Sequence, residues 1–432
     1  MSAHPDFRVD VYQNEYLHQG ASEVNAIVTV TSGGSVTATP AAGVAAAEVI
    51  IVDCSGSMDY PRGKMIAARQ ATAAAVDALR DGVAFAVVAG TDQARLVYPQ
   101  QGGLVPADAR TRAAAKSAIN GLKAGGGTAI GRWLSLANNL FQPYQDAIRH
   151  AILLTDGRNE HETPAALAAT LQDCEGRFVC DCRGVGTDWE VDELRRVSTA
   201  LLGTVDIVAD PAGLEADFRK MTDAAMNKAV ADVVLRLWTP QGASVKFVKL
   251  VSPEVVDLTG RRVARSAQVG EYPTGSWGDE SRDYHVCVEV KPAGVGDVML
   301  AGRVSLVLTG AEEEVLGQGL VKATWTDDMV LSTRINPEVA HYTGQAELAD
   351  AIQEGLEARK TGDLDTATAK LGRAVALATQ SGNADTADLL SKVVDIDDPV
   401  TGTVRLKAKV SDVDTMTLDT RSTKTSRVRK SS

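Results

Sequence analysis

One apolar strand that ends in oxygen chemistry constrains this chain more than any other feature. Residues Ala47–Val52 read as a buried strand, and Asp53-Cys54-Ser55-Gly56-Ser57 follows at once. A carboxylate and two hydroxyls within five residues converge only if the chain turns sharply, a turn that Gly56 is expected to permit. Two later signals supply more oxygen: Gly125-Gly126-Gly127-Thr128 and Leu154-Thr155-Asp156-Gly157. Mg²⁺ is small, takes hard oxygen ligands in near-octahedral geometry and usually keeps several waters. Asp and Ser also favour turns and helix caps, so the first run alone would describe an ordinary capped turn. Three such signals in this order, each after a strand or a Gly-rich loop, point to a metal site.

The surrounding pattern alternates strand and helix. Val83–Ala89, Ala94–Val97, His150–Leu154, Arg177–Val185 and Val205–Val208 read as strands. Gly63–Arg80, Ala107–Leu122, Ile130–Phe141, Pro164–Gln172, Val191–Ala200 and Leu214–Met226 read as helices. Strands apolar along their length belong to a sheet covered on both faces, which makes this an α/β, doubly wound, Rossmann-like domain. Ligands of such sheets bind beyond the carboxyl ends of the strands, where Asp53, Thr128 and Asp156 fall. The Gly-rich loop is no phosphate cradle of the P-loop type: Thr128-Ala129-Ile130 follows a helix and carries no Lys.

Over about Val49–Asp210 the chain resembles the von Willebrand factor A (VWA) family. The resemblance implies a metal-ion-dependent adhesion site formed by Asp53, Ser55, Ser57, Thr128 and Asp156, holding Mg²⁺ or Mn²⁺. It implies that Asp53 and Asp156 act through water, leaving one metal position for a Glu or Asp of a protein partner. Bacterial relatives often accompany kinases, phosphatases, phosphopeptide-binding domains or stress proteins, and others are adaptors of ring-forming ATPases. The expected function is therefore a metal-dependent interaction or scaffold protein in intracellular bacterial signalling or stress response. The alternative is an adaptor subunit of a MoxR- or chelatase-type AAA+ ATPase. No kinase or Walker signature is present, and an enzyme is not expected. A metal-dependent hydrolase would need a general base, for which Glu160 and His161 qualify by proximity alone.

The flanks read differently. Residues 1–45 hold period-two strands at Val9–Gln13 and Val24–Thr31, separated by Gly20 and closed by Gly33-Gly34. Too few to bury their own apolar face, they are expected to complete a β-sandwich with residues 228–340, so that the VWA domain at 46–227 is inserted into it. The later strands are Val233–Leu237, Ala243–Leu250, Val255–Leu258, Tyr284–Val290, Met299–Leu308 and Val315–Thr324. Residues 341–398 form a small helical segment at Ala349–Lys360, Asp365–Gln380 and Ala384–Val394. Its Lys360–Leu364 break resembles a tetratricopeptide hairpin, and packing against the sandwich is its expected role. Residues 399–432 hold a short strand and a Ser/Thr-rich tail with five basic residues from Arg421 to Lys430. The tail reads as a frayed terminus, or alternatively as a docking or phosphorylation segment. It also resembles the C-terminal element of actinobacterial family members.

A formal net charge of −12 argues against nucleic acid as a partner. No apolar run approaches the roughly 20 residues of a membrane span, and Met1–Arg8 lacks the features of a signal peptide, so a cytoplasmic protein is expected. The five cysteines have no framework spacing. Cys174, Cys180 and Cys182 lie close in sequence but read as small core residues.

Overall fold

A computed structural model describes residues 5–33, 45–60, 63–309 and 313–427. The chain forms two compact units: Val36–Ala231, and Met1–Ser35 with Asp232–Ser432. The unit boundaries are 35/36 and 231/232, where the sequence reading set 45/46 and 227/228. Gly34, Arg429 and Lys430 lie outside the described residues.

The larger unit opens with β1 (Asp6–Gln13), β2 (Tyr16–His18) and β3 (Glu23–Gly33). The inserted unit follows. It contains β4 (Ala46–Asp53), α1 (Lys64–Ala78), β5 (Ala84–Gly90), β6 (Ala94–Tyr98), β7 (Val105–Pro106), α2 (Ala109–Asn120) and α3 (Ile130–Phe141). It continues with β8 (Ile148–Thr155), α4 (Pro164–Cys174), β9 (Val179–Val185), α5 (Val191–Ala200), β10 (Val205–Val208) and α6 (Leu214–Met226). The sheet order is β10-β9-β8-β4-β5-β6, with β7 also pairing on β5; β6 and β7 are antiparallel and the rest parallel. Every residue of β4 and β5 is buried, as expected for strands with helices on both faces. On one face Ala68, Ala71 and Ala75 of α1 and Phe218 and Met221 of α6 close over Ile50, Val52 and Val87. β4 lies between β5 and β8, and the chain leaves it in opposite directions, so its carboxyl end stands at the topological switch point.

The β4 run is not wholly apolar. Glu48 sits inside it, fully buried, and its carboxylate faces Nδ1 of His150 on β8 at 2.9 Å. Nε2 of His150 lies 3.1 Å from Oδ2 of Asp181 on β9, whose Oδ1 accepts from the Thr204 N–H and hydroxyl. With a carboxylate at each ring nitrogen, both nitrogens donate and the ring is an imidazolium. Burial pulls the His150 pKa down, but Glu48 and Asp181 outweigh it and lift it to about 10. Asp181 is held below its usual range: its own burial opposes this, and His150 and Arg183 overcome it.

The larger unit resumes with β11 (Val230–Trp238), β12 (Ser244–Ser252), β13 (Val256–Asp257), β14 (Val263–Ala264), β15 (Val269–Trp277), β16 (Glu280–Glu289), β17 (Val298–Leu308) and β18 (Glu314–Thr326). Two sheets result, β1-β3-β16-β12-β13 and β14-β15-β11-β17-β18-β2. The N-terminal strands thus join both layers. Val9 and Val11 of β1 pack on Gly317 and Gly319 of β18, and Phe7 meets Trp277 edge-on at 5.7 Å. The sandwich expectation holds, with β14 and β15 as additions.

Short α7 (Met329–Ser332) leads to α8 (Pro337–Thr361), α9 (Leu364–Ser381), α10 (Ala384–Val393), β19 (Val394–Asp398), β20 (Thr403–Leu406) and α11 (Asp412–Arg421). α8 starts well before Ala349: Asn336 caps it by accepting from the Glu338 N–H, and Pro337 occupies the first turn. The segment is more than a hairpin. Ile352, Leu371, Val375, Leu390, Val404 and Leu418 share one core, while Val339 and Tyr342 of α8 pack on Ile27 and Val251 of the sandwich.

The expected frayed tail is docked as far as Arg427. Val255 N–H donates to Thr423 O, and Thr425 N–H donates to Pro253 O. Arg427 pairs with buried Asp283, which also accepts from the Tyr342 hydroxyl at 2.5 Å. All five cysteines are free and buried. Burial holds the Cys174 thiol up at about 11, and the Cys182 thiol and burial raise Cys180 well above its ordinary value. No helix among the described residues is long and apolar enough to cross a membrane.

His150→Gln removes the imidazolium between two buried carboxylates and is expected to lower unfolding free energy by about 3–5 kcal/mol at pH 7. The folded-state pKa exceeds the ordinary value of about 6.5, so the contribution is complete below that pH and fades as the pH rises toward 10. Urea melts of both proteins at pH 6 and pH 10 should show a large gap that narrows.

Candidate functional site

Three loops meet at the carboxyl ends of β4 and β8. The first begins at Asp53, the last residue of β4, fully buried. Its Oδ1 accepts from the Ser55 N–H at 2.7 Å and its Oδ2 from the Thr155 hydroxyl at 2.5 Å. Burial pushes its pKa up to about 6 despite those bonds. A single 3₁₀ turn over Gly56–Asp59 then swings Ser57 across to β8. There its hydroxyl donates to Asp156 Oδ1 at 2.6 Å and lies 2.9 Å from the Ser55 hydroxyl. Gly56 does not take the left-handed conformation. Its part is to donate its N–H to Gly126 O at 3.0 Å, and Gly125 N–H donates in turn to Cys54 O. These two bonds fix the Gly-rich loop against the first.

The third loop, after β8, carries Asp156, also fully buried. Asp156 Oδ2 accepts from the Lys64 ammonium at 2.6 Å. Lys64 is the first residue of α1, and its side chain is only 5% exposed; it also reaches Asp188 Oδ2 at 3.3 Å. Sequence reasoning missed this cation, because a Lys on the first turn of an Ala-rich helix reads as a solvated side chain.

The second and third loops are sewn together. α3 has no cap of its own, since Ala129 precedes it. Its first N–H groups are met from the other loop: Ile130 N–H donates to Asn159 Oδ1 at 2.8 Å and Gly131 N–H to Glu162 Oε1 at 2.6 Å. His161 N–H donates to Thr128 O at 2.9 Å, and Thr128 N–H returns a bond to His161 Nδ1 at 3.1 Å. Thr128 is thereby held from both sides. The sequence signal was present in Asn159-Glu160-His161-Glu162, two capping side chains flanking a His, though serving a helix that begins thirty residues earlier.

The five residues singled out from sequence are therefore brought together, with hydroxyls inward. A Cβ built on Gly157 would lie 3.1 Å from Ser57 Oγ, 3.3 Å from Thr128 Oγ1 and 3.8 Å from Ser55 Oγ. The three hydroxyls thus surround a space that one methyl group would fill. It opens into a cavity of about 400 Å³ lined by Ser55, Ser57, Thr128, Gly157, His161 and Asp188, among others. Such a set is hydroxyl-rich and carboxylate-poor. Both carboxylates have each oxygen engaged by a protein donor. Among the described residues no three His, Cys, Asp or Glu side chains are arranged to hold a metal.

Residues 47–207 match the profile of the von Willebrand factor type A domain, and residues 376–422 that of the von Willebrand factor type A C-terminal domain. A von Willebrand factor type A structure from Catenulispora acidiphila is 56% identical, covers 98% of each chain and superposes with a TM-score of 0.94. The chain belongs to the von Willebrand factor type A family. The ArnB paralog VWA2 from Sulfolobus acidocaldarius shares the fold at 14% identity, over 97% of this chain and 98% of its own, with a TM-score of 0.62. An uncharacterized protein of Synechocystis is 31% identical over 215 residues, 49% of each chain. The present chain thus spans about half the length of that curated relative.

Lys64→Met strips the buried Asp156 carboxylate of its cation and should lower unfolding free energy by about 3–5 kcal/mol. Chemical denaturation without divalent metal checks this; a change below about 0.5 kcal/mol, the scatter of surface substitutions, would contradict the pairing.

Proposed function

We propose that this protein is a divalent-metal-dependent interaction or scaffold protein whose site takes a carboxylate from a protein partner. One observation carries the reading: three hydroxyls from two loops face a common space beside two buried carboxylates. The donor set fits Mg²⁺ or Mn²⁺, which favour oxygen ligands and retain water. Ser55, Ser57 and Thr128 would hold the ion directly, and Asp53 and Asp156 through water. A bound ion supplies a Lewis-acidic point to which an Asp or Glu oxygen binds. The protein's own contribution is to fix those donors and keep their lone pairs aimed inward.

Binding is favoured over hydrolysis. A hydrolase requires a base facing its bound water; of the two candidates, Glu160 is solvent-exposed on the cavity rim, and His161 is a nitrogen base. Its Nδ1 lone pair is taken by the Thr128 N–H, so the neutral ring carries its proton on Nε2 and has no second lone pair to abstract another.

Asp53→Ala is expected to abolish Mg²⁺ binding. Gly157→Ala, whose methyl group would enter the hydroxyl cradle at an ordinary backbone conformation, should weaken it at least ten-fold. Both should keep the far-ultraviolet circular dichroism of the wild type. Unchanged Mg²⁺ affinity in both by calorimetry would overturn the proposal. Capture from native lysate in Mg²⁺ or EDTA then addresses the partner: one retained by wild type in Mg²⁺ and lost with Asp53→Ala supports metal-bridged docking. Kinase or phosphatase components would favour the scaffold role, and a hexameric ATPase the adaptor role.

A further inference from the structure

We propose that His161 is a second anchor for the ligand carboxylate, donating from Nε2–H to the oxygen that the metal leaves free. The inference deepens the reading of this site as a metal-dependent docking point and depends on it. A carboxylate has two oxygens. If one completes a metal shell, the other is drawn into a cavity whose rim includes Asp188 and Glu160, and without a donor its desolvation is uncompensated.

The donor is identified by the Thr128 bond. A backbone N–H can only donate, so the 3.1 Å contact from Thr128 N makes His161 Nδ1 an acceptor. The tautomer follows: Nε2 carries the hydrogen. The ring lies flat against Gly127, where any Cβ would come within 2.3 Å of Cγ, Cδ2 and Nδ1. Gly127 thus admits the ring, and Thr128, one of the three cradle hydroxyls, orients it. Nε2 has no partner among the described residues, and the ring lines the same cavity as Ser55, Ser57 and Gly157. The cations nearby are engaged. Lys64 is buried on Asp156 and Asp188, and Arg158 is paired through Nε with Glu190 at 3.0 Å.

His161→Asn separates the two ring nitrogens. Its side-chain oxygen stands where Nδ1 stood and still accepts from the Thr128 N–H, while the Nε2 donor is gone. The probe is acetate, with acetamide as its neutral counterpart, titrated into Mn²⁺-loaded protein and followed by water-proton relaxation as metal-bound water is displaced. Mn²⁺ affinity is read from the same signal. The expected result is wild-type Mn²⁺ affinity in His161→Asn with acetate binding at least ten-fold weaker, and no acetamide binding to either protein. Equal acetate affinity in wild type and variant would overturn the role of His161. So would loss of Mn²⁺ affinity in His161→Asn, since the residue would then only position Thr128. A wild type that binds Mn²⁺ but not acetate would overturn the carboxylate ligand, and one that binds no Mn²⁺ would overturn the metal site itself.

Discussion

Two carboxylates withdrawn from water at adjacent strand ends, Asp53 and Asp156, dictate how the surrounding loops run. A buried carboxylate is costly unless hydrogen-bonded and paired, and each is served by the strand or loop that carries the other. Thr155, at the end of β8, donates to Asp53; Ser57, in the loop after β4, donates to Asp156. This exchange forces the first loop to turn back over the sheet, which a single 3₁₀ turn accomplishes. It also sets where α1 begins, because the Lys64 ammonium must reach Asp156. The loop course, the helix start and the inward direction of the hydroxyls are three consequences of one electrostatic requirement.

The Thr128 loop is recruited by hydrogen bonding rather than by charge. A helix start without its own cap leaves N–H groups that need acceptors, and Asn159 and Glu162 supply them for α3. The paired bonds between Thr128 and His161 close the seam. The Thr128 loop is thus bonded on both sides: through Gly125 and Gly126 to the loop after β4, and through Thr128 to the loop after β8. Anything that shifts Thr128 must also shift His161.

Much of this was legible because the signals are local. Strands buried on both faces announce themselves as apolar runs, and oxygen donors at their ends are visible as residue types in order. What escaped depended on partners distant in sequence. Glu48 was read through as part of an apolar strand, since nothing nearby announces His150, about a hundred residues on. β15 was missed because Val269-Gly270-Glu271-Tyr272-Pro273-Thr274-Gly275 carries two glycines, a proline and an acid. Its Glu271 is accommodated by Arg236 of β11 and by Arg265, which no local pattern reveals. α11 presents mostly polar residues to a reader of periodicity, and its place is set by Leu418 entering a core shared with α8, α9, α10, β19 and β20. The tail looked solvated for the same reason: the carboxylate that receives Arg427 lies on β16, 144 residues away.

The charge arrangement at the site bears on why such a centre would recruit an anion. Neutral hydroxyls are the donors nearest the cradle, and of the two acids behind them Asp156 is already offset by Lys64 at 2.6 Å. On the proposed reading a dication there would be under-neutralised by the protein's own groups. At short range and reduced dielectric, that deficit is worth several kcal/mol to an approaching anion. A site built from three or four free carboxylates would hold its metal more tightly and have less need of a partner. On that reading Lys64 and the hydroxyls would do opposite work from a metal-storage cage, keeping the ion's charge available at the side that faces the cavity, which His161 also lines.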